Sequence, residues 1–148
     1  MALTTGQTWA QGLWESLFLQ ENGCYARHYR AAHLAAHPVQ RVSDIALVPD
    51  LRPLGPDERR LIVTLRLRGS REVLTATAYC DAAGAAALTC GLEGDGGGFD
   101  LTLAKDGAVL LTVGRHGMWF EGMADFVEIR SDRGDDRVFL LPRSQTCG

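Results

Sequence analysis

Hydrophobic and polar residues alternate along the segment Leu61–Arg68. Its odd positions are apolar, whereas Thr64 and Arg66 lie on the opposite face. This two-residue period is typical of a β-strand with one buried face. Gly69 and Ser70 follow, and a glycine in the first place of a two-residue loop favours a type II′ turn because it accepts a positive φ. That turn predicts a hairpin with a wholly apolar face, on which Leu61, Val63 and Leu65 lie opposite Ala78, Ala76 and Leu74.

Two more hairpins follow from the same matching of apolar faces. A turn around residues 84–86 brings Cys80 opposite Cys90. A turn at Lys105–Gly107, with the glycine in the left-handed conformation, joins the next two strands. A three-residue loop is favoured there because a two-residue loop would set Thr112 opposite Leu101. The resulting apolar pairs are Ala78 with Leu92, Leu103 with Val109, Leu101 with Leu111, and Phe99 with Val113.

The last two predicted strands are residues 126–130 and 137–141, which form a hairpin through Arg133 and Gly134. Both strands carry apolar residues on both faces. That pattern indicates strands covered on both sides, as at the seam of a barrel.

Two segments near the beginning of the chain are not part of these hairpins. Residues 29–37 are rich in alanine, which favours a short helix, and Pro38 ends it. Residues 4–22 fit either an amphipathic helix or a strand. We favour the strand, because Gly12-Leu13-Trp14 resembles the Gly-x-Trp that opens the first strand of lipocalin-type barrels.

Together these elements predict a mainly β protein, an antiparallel small barrel or strongly curved sheet of about eight strands. It is lipocalin-like in shape at most and carries one short helix near residues 30–37. We expect residues 1–148 to form a single domain, because a chain of this length buries roughly 68–70% of its unfolded surface. We also expect a monomer.

Charge and hydropathy exclude several classes of partner. The formal net charge is −3 at pH 7, and Lys105 is the only lysine. Bulk electrostatics therefore provide no attraction to nucleic acid or anionic lipid, and we expect no nucleic-acid partner. No stretch is long and apolar enough to span a bilayer, so the protein is not expected to be membrane-spanning.

Four cysteines bear on the cellular compartment. Cys80 and Cys90 face each other across a predicted hairpin at a distance compatible with a disulfide, and Cys24 and Cys147 bracket the domain. Two such bridges indicate an oxidising compartment. The N-terminus has neither a basic nor an apolar signal region. We therefore expect a periplasmic or secreted protein whose signal peptide is absent from this sequence; the alternative is a cytoplasmic protein with free, buried thiols.

Three short strings support export. His-Leu-Ala-Ala-His-Pro-Val-Gln-Arg-Val at 33–42, Glu-Gly-Asp-Gly-Gly-Gly-Phe at 93–99 and Asp-Asp-Arg-Val-Phe-Leu-Leu at 135–141 cover about a sixth of the chain. They resemble strings in small, exported, strand-rich bacterial proteins of unknown function, which also end in a cysteine, as here at Cys147. The resemblance implies export and assigns no site residue.

One cluster has the residue types of a metal site. His28, His33 and His37 lie close to Cys24 in the sequence, and His33 and His37 are spaced so that a helix places them on one face. Zinc accepts histidine and cysteine ligands. A disulfide at Cys24 would reduce the set to the three histidines, and the alternative is that they cap, pack or face water.

A second candidate is a basic stripe on the polar face of the first hairpin, formed by Arg60, Arg66, Arg68 and Arg71. Guanidinium groups bind phosphate and carboxylate bidentately, so the stripe could receive an anionic ligand, a lipopolysaccharide or an acidic partner. The alternative is a solvated face.

Large side chains and glycines concentrate in two other places. Trp119, with His116 and Phe120, either lines a cavity mouth or packs in the core. The glycine-rich run 94–98 precedes a strand rather than a helix, so it indicates a connection or bulge and not a phosphate cradle.

The sequence contains no nucleophile motif, and we assign no catalytic residue and expect no cofactor. Our first hypothesis is a non-enzymatic binding protein of the cell envelope that holds a small ligand inside the barrel or a protein partner on its arginine face. The second is a metal-binding or enzymatic domain centred on His28, His33 and His37. The third is a structural or inhibitory interaction protein.

Overall fold

The computed structural model describes residues 12–19, 23–50, 52, 58–132 and 134–147. Within these residues it contains a single sheet of 10 antiparallel strands and one short α-helix. The strands are β1 (Cys24–His28), β2 (Val42–Pro49), β3 (Arg60–Leu67), β4 (Leu74–Ala82), β5 (Ala87–Leu92), β6 (Gly97–Leu103), β7 (Val109–Glu121), β8 (Phe126–Ile129), β9 (Val138–Leu141) and β10 (Arg143–Ser144). The helix α1 is Ala31–Ala36, a π-helical segment spans Glu15–Leu19, and a 3-10 turn spans Lys105–Gly107.

The predicted register of the three central hairpins is confirmed. Leu65 lies opposite Leu74, Cys80 opposite Cys90, and the remaining apolar pairs from β3 to β7 are those that the alternation predicts. Gly107 has a φ of 75°, which confirms the three-residue loop between β6 and β7. The turn type predicted after β3 is wrong. Ser70 donates its backbone N–H to the Leu67 carbonyl, so Gly69 occupies the third position of the turn, where a type II turn needs a positive φ.

The strands follow each other in the sheet from β1 to β7, and the two ends of this series are linked by the chain around Pro142. On one side of Pro142, β9 pairs with β7, and on the other side β10 pairs with β1. Ala26 donates its N–H to the Pro142 carbonyl at the junction. β1 and β7 do not pair with each other in the described residues, so the sheet is strongly curved but not closed into a barrel. Of the two predicted architectures, the structure is the curved sheet.

The hairpin predicted from residues 126–130 and 137–141 is wrong. β8 pairs with β7 at Met118–Glu121, and β9 pairs with β7 at Val109–Thr112. The two strands thus share one edge of the 13-residue strand β7 instead of pairing with each other. The outer faces of β8 and β9 are exposed, so these strands are also not covered on both sides.

The glycine-rich run forms the bulge that the sequence indicates. Gly97 pairs with Met118 while Phe99 pairs with Val113, so β7 contains extra residues at this point. A side chain at Gly97 would overlap the Gly117 carbonyl oxygen, and one at Gly98 would overlap the Cys90 carbonyl oxygen. Glycine is required here because two neighbouring backbones approach too closely for a Cβ atom.

Large apolar side chains fill the inside of the curved sheet. The largest fully buried ones include Phe18, Tyr25, Phe99, Phe120 and Phe139, and they belong to one continuous core. Residues 12–19 are helical, which contradicts the strand that we favoured for Gly12-Leu13-Trp14; the rest of 4–22 lies outside the described residues. The helical residues are held to β1 because the Tyr25 hydroxyl donates to the Leu17 carbonyl at 2.9 Å.

Both predicted disulfides are present. Cys24 is bonded to Cys147, and Cys80 is bonded to Cys90. The first bridge joins β1 to the chain beyond β10, and the second joins directly opposite residues of β4 and β5. None of the helices in the described part of the chain is long and apolar enough to cross a membrane.

Candidate binding surface

The three histidines of the predicted metal site have separate hydrogen-bond partners. His28 contacts the Asp44 carboxylate at 2.6 Å. The Gln40 amide nitrogen donates to the Val42 carbonyl, so its oxygen accepts the Nε2–H of His33 at 3.0 Å. His37 donates its Nδ1–H to the carbonyl of His33 at 2.8 Å. No group of three His, Cys, Asp or Glu side chains suited to a metal ion occurs among the described residues.

Three of the four arginines of the predicted stripe are used within the fold, whereas Arg71 is exposed. Arg60 is almost buried and forms an ion pair with Asp50 at 2.8 Å. Arg66 donates to the Ser70 carbonyl at 3.2 Å. Arg68 donates to the carbonyls of Gln40, Leu34 and His37 and so satisfies the carbonyl groups at the end of α1. The stripe is therefore not a continuous free guanidinium surface.

Trp119 is positioned on the outer face of the sheet by the bulge in β7. Before the bulge, the inward-facing residues of β7 are the odd-numbered ones up to Val113. After the bulge, the even-numbered residues Met118 and Phe120 point inward. This change of phase turns Trp119 outward, and 40% of its surface is exposed. Its backbone N–H donates to the Gly96 carbonyl at 2.9 Å, which holds the strand against the β5–β6 turn. Phe120, its neighbour, is a core residue.

An open groove of about 570 Å³ lies on one side of the indole, between β4 and the β7–β8 hairpin. We call it the acidic groove, and it is lined by Thr75, Thr77, Glu93, Asp95, Trp119, Glu121 and Phe126 together with small residues. Phe126 is 63% exposed and adds a second aromatic ring. Within the described chain, no group donates a hydrogen bond or forms an ion pair to the carboxylates of Glu93, Asp95 and Glu121.

A second groove of about 560 Å³ lies on the other side of the indole. We call it the mixed groove, because it is lined by both basic and acidic groups: Asp95, Arg115, His116, Glu128, Arg130 and Asp132, with Trp119 at its border. Arg130 makes two hydrogen bonds to Asp132, at 2.8 and 2.7 Å, and these raise the pKa of its guanidinium. The positive charge of Arg130 is thus largely balanced by neighbouring carboxylates. The carboxylates of the acidic groove have no such partner among the described residues.

The two grooves meet at Trp119, so the outer face of β7 and β8 offers aromatic surface flanked by two different charge environments. Exposed aromatic rings bordered by polar groups are typical of ligand and protein contact sites. Trp119 is thus the predicted ligand-binding residue that borders both of these grooves. Arg66 lines a separate groove beside His28 and Asp44. Sequence reasoning missed Phe126, Glu93 and Glu121, since their convergence depends on the approach of β4 to the β7–β8 hairpin.

Comparison with protein-family models, with curated protein sequences and with solved structures found no match to this chain.

Proposed function

We propose that this chain is a non-enzymatic binding protein of the cell envelope, and that it holds its ligand or partner on the outer face of the sheet around Trp119. One observation carries the proposal. The indole is exposed and borders two grooves, whereas the inside of the sheet is filled with core side chains. The interior ligand site and the arginine face of our first hypothesis are therefore replaced by this outer surface.

Two properties support the location in the envelope. Both disulfides are compatible with an extracellular or periplasmic protein, because thiols in the cytosol are kept reduced. The strings at 33–42, 93–99 and 135–141 resemble those of exported proteins. Mass spectrometry of the unreduced native protein tests this part of the proposal, since we expect a mass about 4 Da below that of the reduced chain. Free thiols in protein prepared without reductant would contradict it.

The binding site is tested by NMR titration of the isotope-labelled protein. The Trp119 indole resonance is assigned from its loss in Trp119→Phe. The probes are a blocked tetra-arginine peptide, a blocked tetra-glutamate peptide, an N-acetylglucosamine tetramer and monomeric dodecylphosphocholine. We expect at least one probe to shift the Trp119 indole resonance and the backbone amides of residues 93–96 and 119–126 in a saturable way.

Variants then distinguish this surface from others. Trp119→Ala should weaken binding of that probe at least tenfold, because truncation of a central aromatic anchor typically costs more than about 1.4 kcal/mol. Tyr79→Ala is the matched control, since Tyr79 is also 40% exposed but lies on β4 outside both grooves. Equal weakening by both variants, or shifts confined to other parts of the protein, would refute the assignment of the site.

A further inference from the structure

We infer that the acidic groove receives an arginine- or lysine-bearing segment of a partner protein, with a cationic side chain placed over Trp119 and among the carboxylates of Glu93, Asp95 and Glu121. This inference rests on the proposed function and specifies the chemistry of the partner. It follows from the aromatic rings, the uncompensated charge and the shape of the groove, each of which restricts the occupant in a different way.

The charge of the groove selects a cation. Among the described residues, its lining holds three carboxylates and no lysine, arginine or histidine. The carboxylates have no hydrogen-bonding or ionic partner among the described residues, so a cationic ligand would form new ion pairs without displacing existing ones. The mixed groove differs because its carboxylates share space with Arg115 and Arg130. Asp95 borders both grooves, so Glu93 and Glu121 provide the negative charge that belongs to the acidic groove alone.

The aromatic rings make arginine the most suitable cation. A guanidinium group is planar, stacks on an indole face and still donates hydrogen bonds to carboxylates at its edge. The described residues contain one arginine over an aromatic ring, Arg27 over Tyr29 at 4.8 Å, so no described cation occupies the face of Trp119. An exposed indole next to free carboxylates thus offers both parts of an arginine-binding site.

The shape of the groove favours a side chain presented by a protein over a small molecule enclosed by the site. Small-molecule sites bury most of the ligand surface. Here Trp119 and Phe126 remain 40% and 63% exposed, so an occupant would be covered on one side only. A partner that supplies the second wall would complete the burial of both rings.

The test is a titration of the full chain with the blocked tetra-arginine peptide, followed through the Trp119 indole resonance at two salt concentrations. We expect saturable binding that weakens as salt rises, because exposed ion pairs are screened. The tetra-glutamate peptide should not bind, and a tetra-glutamine peptide of the same length should bind at least tenfold more weakly.

Charge-removing variants provide the second arm. The triple variant Glu93→Gln, Asp95→Asn, Glu121→Gln keeps the shape of the groove, and we expect it to weaken peptide binding about tenfold or more, since each exposed ion pair contributes a factor of about 1.5 to 5. The control variant Glu58→Gln, Asp81→Asn, Asp106→Asn makes the same change in net charge at exposed sites outside the groove. It should change the affinity less than twofold.

The outcomes separate this inference from the proposed function. Binding of another probe at Trp119 without binding of the arginine peptide would overturn the cationic occupant and leave the binding surface intact. Equal weakening by the groove variant and the control variant would show bulk attraction and also overturn the inference. Spermidine binding as tight as that of the peptide would replace the protein segment by a small polyamine. If none of the probes shifted the Trp119 resonance, both the inference and the proposed function would fail.

Discussion

The two disulfides should contribute unequally to stability, because they close loops of very different length. Cys24 and Cys147 are separated by 123 residues, and Cys80 and Cys90 by 10. The perturbation is reduction of one bridge at a time. Cys80→Ala with Cys90→Ala leaves only the long-range bridge, and Cys24→Ala with Cys147→Ala leaves only the short-range bridge. Each variant is compared with its own reduced form, so that the sequence and the packing stay constant.

The expected magnitudes follow from the entropy that each bond removes from the unfolded chain. With the loop lengths above, the chain-entropy relation gives about 4.9 kcal/mol for the long-range bridge and about 2.7 kcal/mol for the short-range one at 25 °C. The long-range bridge should therefore stabilise the protein by about 2 kcal/mol more. Reduction of the long-range bridge should also raise the urea m-value more than reduction of the short-range bridge does, because the unfolded chain then expands further.

Urea denaturation followed by circular dichroism measures both quantities for the oxidised and reduced forms of each variant. A reduced variant that is already unfolded without urea gives a lower limit for its bridge, equal to the stability of the oxidised form. The reasoning is refuted if reduction of Cys80–Cys90 costs as much as reduction of Cys24–Cys147, or more. That result would mean that the bridges act through the folded state rather than through the unfolded chain.

Three further predictions concern single side chains and are checked by urea denaturation. Asp136 is buried and accepts the backbone N–H groups at the start of β2, at 2.8 and 3.0 Å. Asp136→Ala should lower the free energy of unfolding by about 3 kcal/mol, and Asp136→Asn should lower it less. Equal losses in the two variants would contradict an acceptor role. Gly107→Ala should lower the free energy of unfolding by about 1 kcal/mol because of the positive φ at this position. Gly97→Ala should lower it clearly more, because both glycines have a φ of 75° but only Gly97 faces a neighbouring carbonyl. Similar losses in the two variants would refute the close approach. The pKa of Asp50 lies below its ordinary value of 3.8 because Arg52 donates hydrogen bonds to it. Since the folded-state pKa is depressed, this stabilisation is present above about pH 4 and is lost as the pH falls. Asp50→Asn should therefore lower the urea midpoint at pH 7 and by a smaller amount at pH 3, with the difference between variant and parent shrinking further as the pH falls. An equal reduction at pH 7 and at the lowest pH reached would exclude the charge as the cause.

The strand registers could be predicted because each of the central hairpins is local. For β3 and β4, the alternation of apolar residues leaves one register with a wholly apolar face, and it holds even though the turn at Gly69 differs from the expected type. For β6 and β7, the position of Gly107 and the apolar matching agree. Local turn chemistry and pattern therefore specify these pairs without information from the rest of the fold.

The pairing of β8 and β9 could not be predicted in this way, because it depends on the length and shape of β7. Residues 126–130 and 137–141 are near neighbours in the sequence, which favours a hairpin. The structure instead places both strands along the same edge of β7, on either side of its bulge. The pattern of β7 does indicate the bulge, because the inward-facing residues are odd-numbered up to Val113 but even-numbered at Met118 and Phe120.

The candidate site was predictable only in part for the same reason. Trp119 stood out by its size, but its exposure depends on the bulge, and the acidic groove depends on contact between β4 and the β7–β8 hairpin. The role of Arg68 was hidden because its three acceptors lie in the segment from Leu34 to Gln40. An arginine on a strand pattern gives no indication that it will cap a distant helix.

The segment that links β7 to β1 has a consequence for the order of events during biosynthesis. β9 and β10 follow the other eight strands in the chain, and Cys147 follows them. While the polypeptide is still being made, β1 lacks its neighbour β10 and Cys24 lacks its partner. Formation of the Cys24–Cys147 bond therefore reports completion of the whole sheet, and its rate of appearance after synthesis would provide a direct clock for maturation.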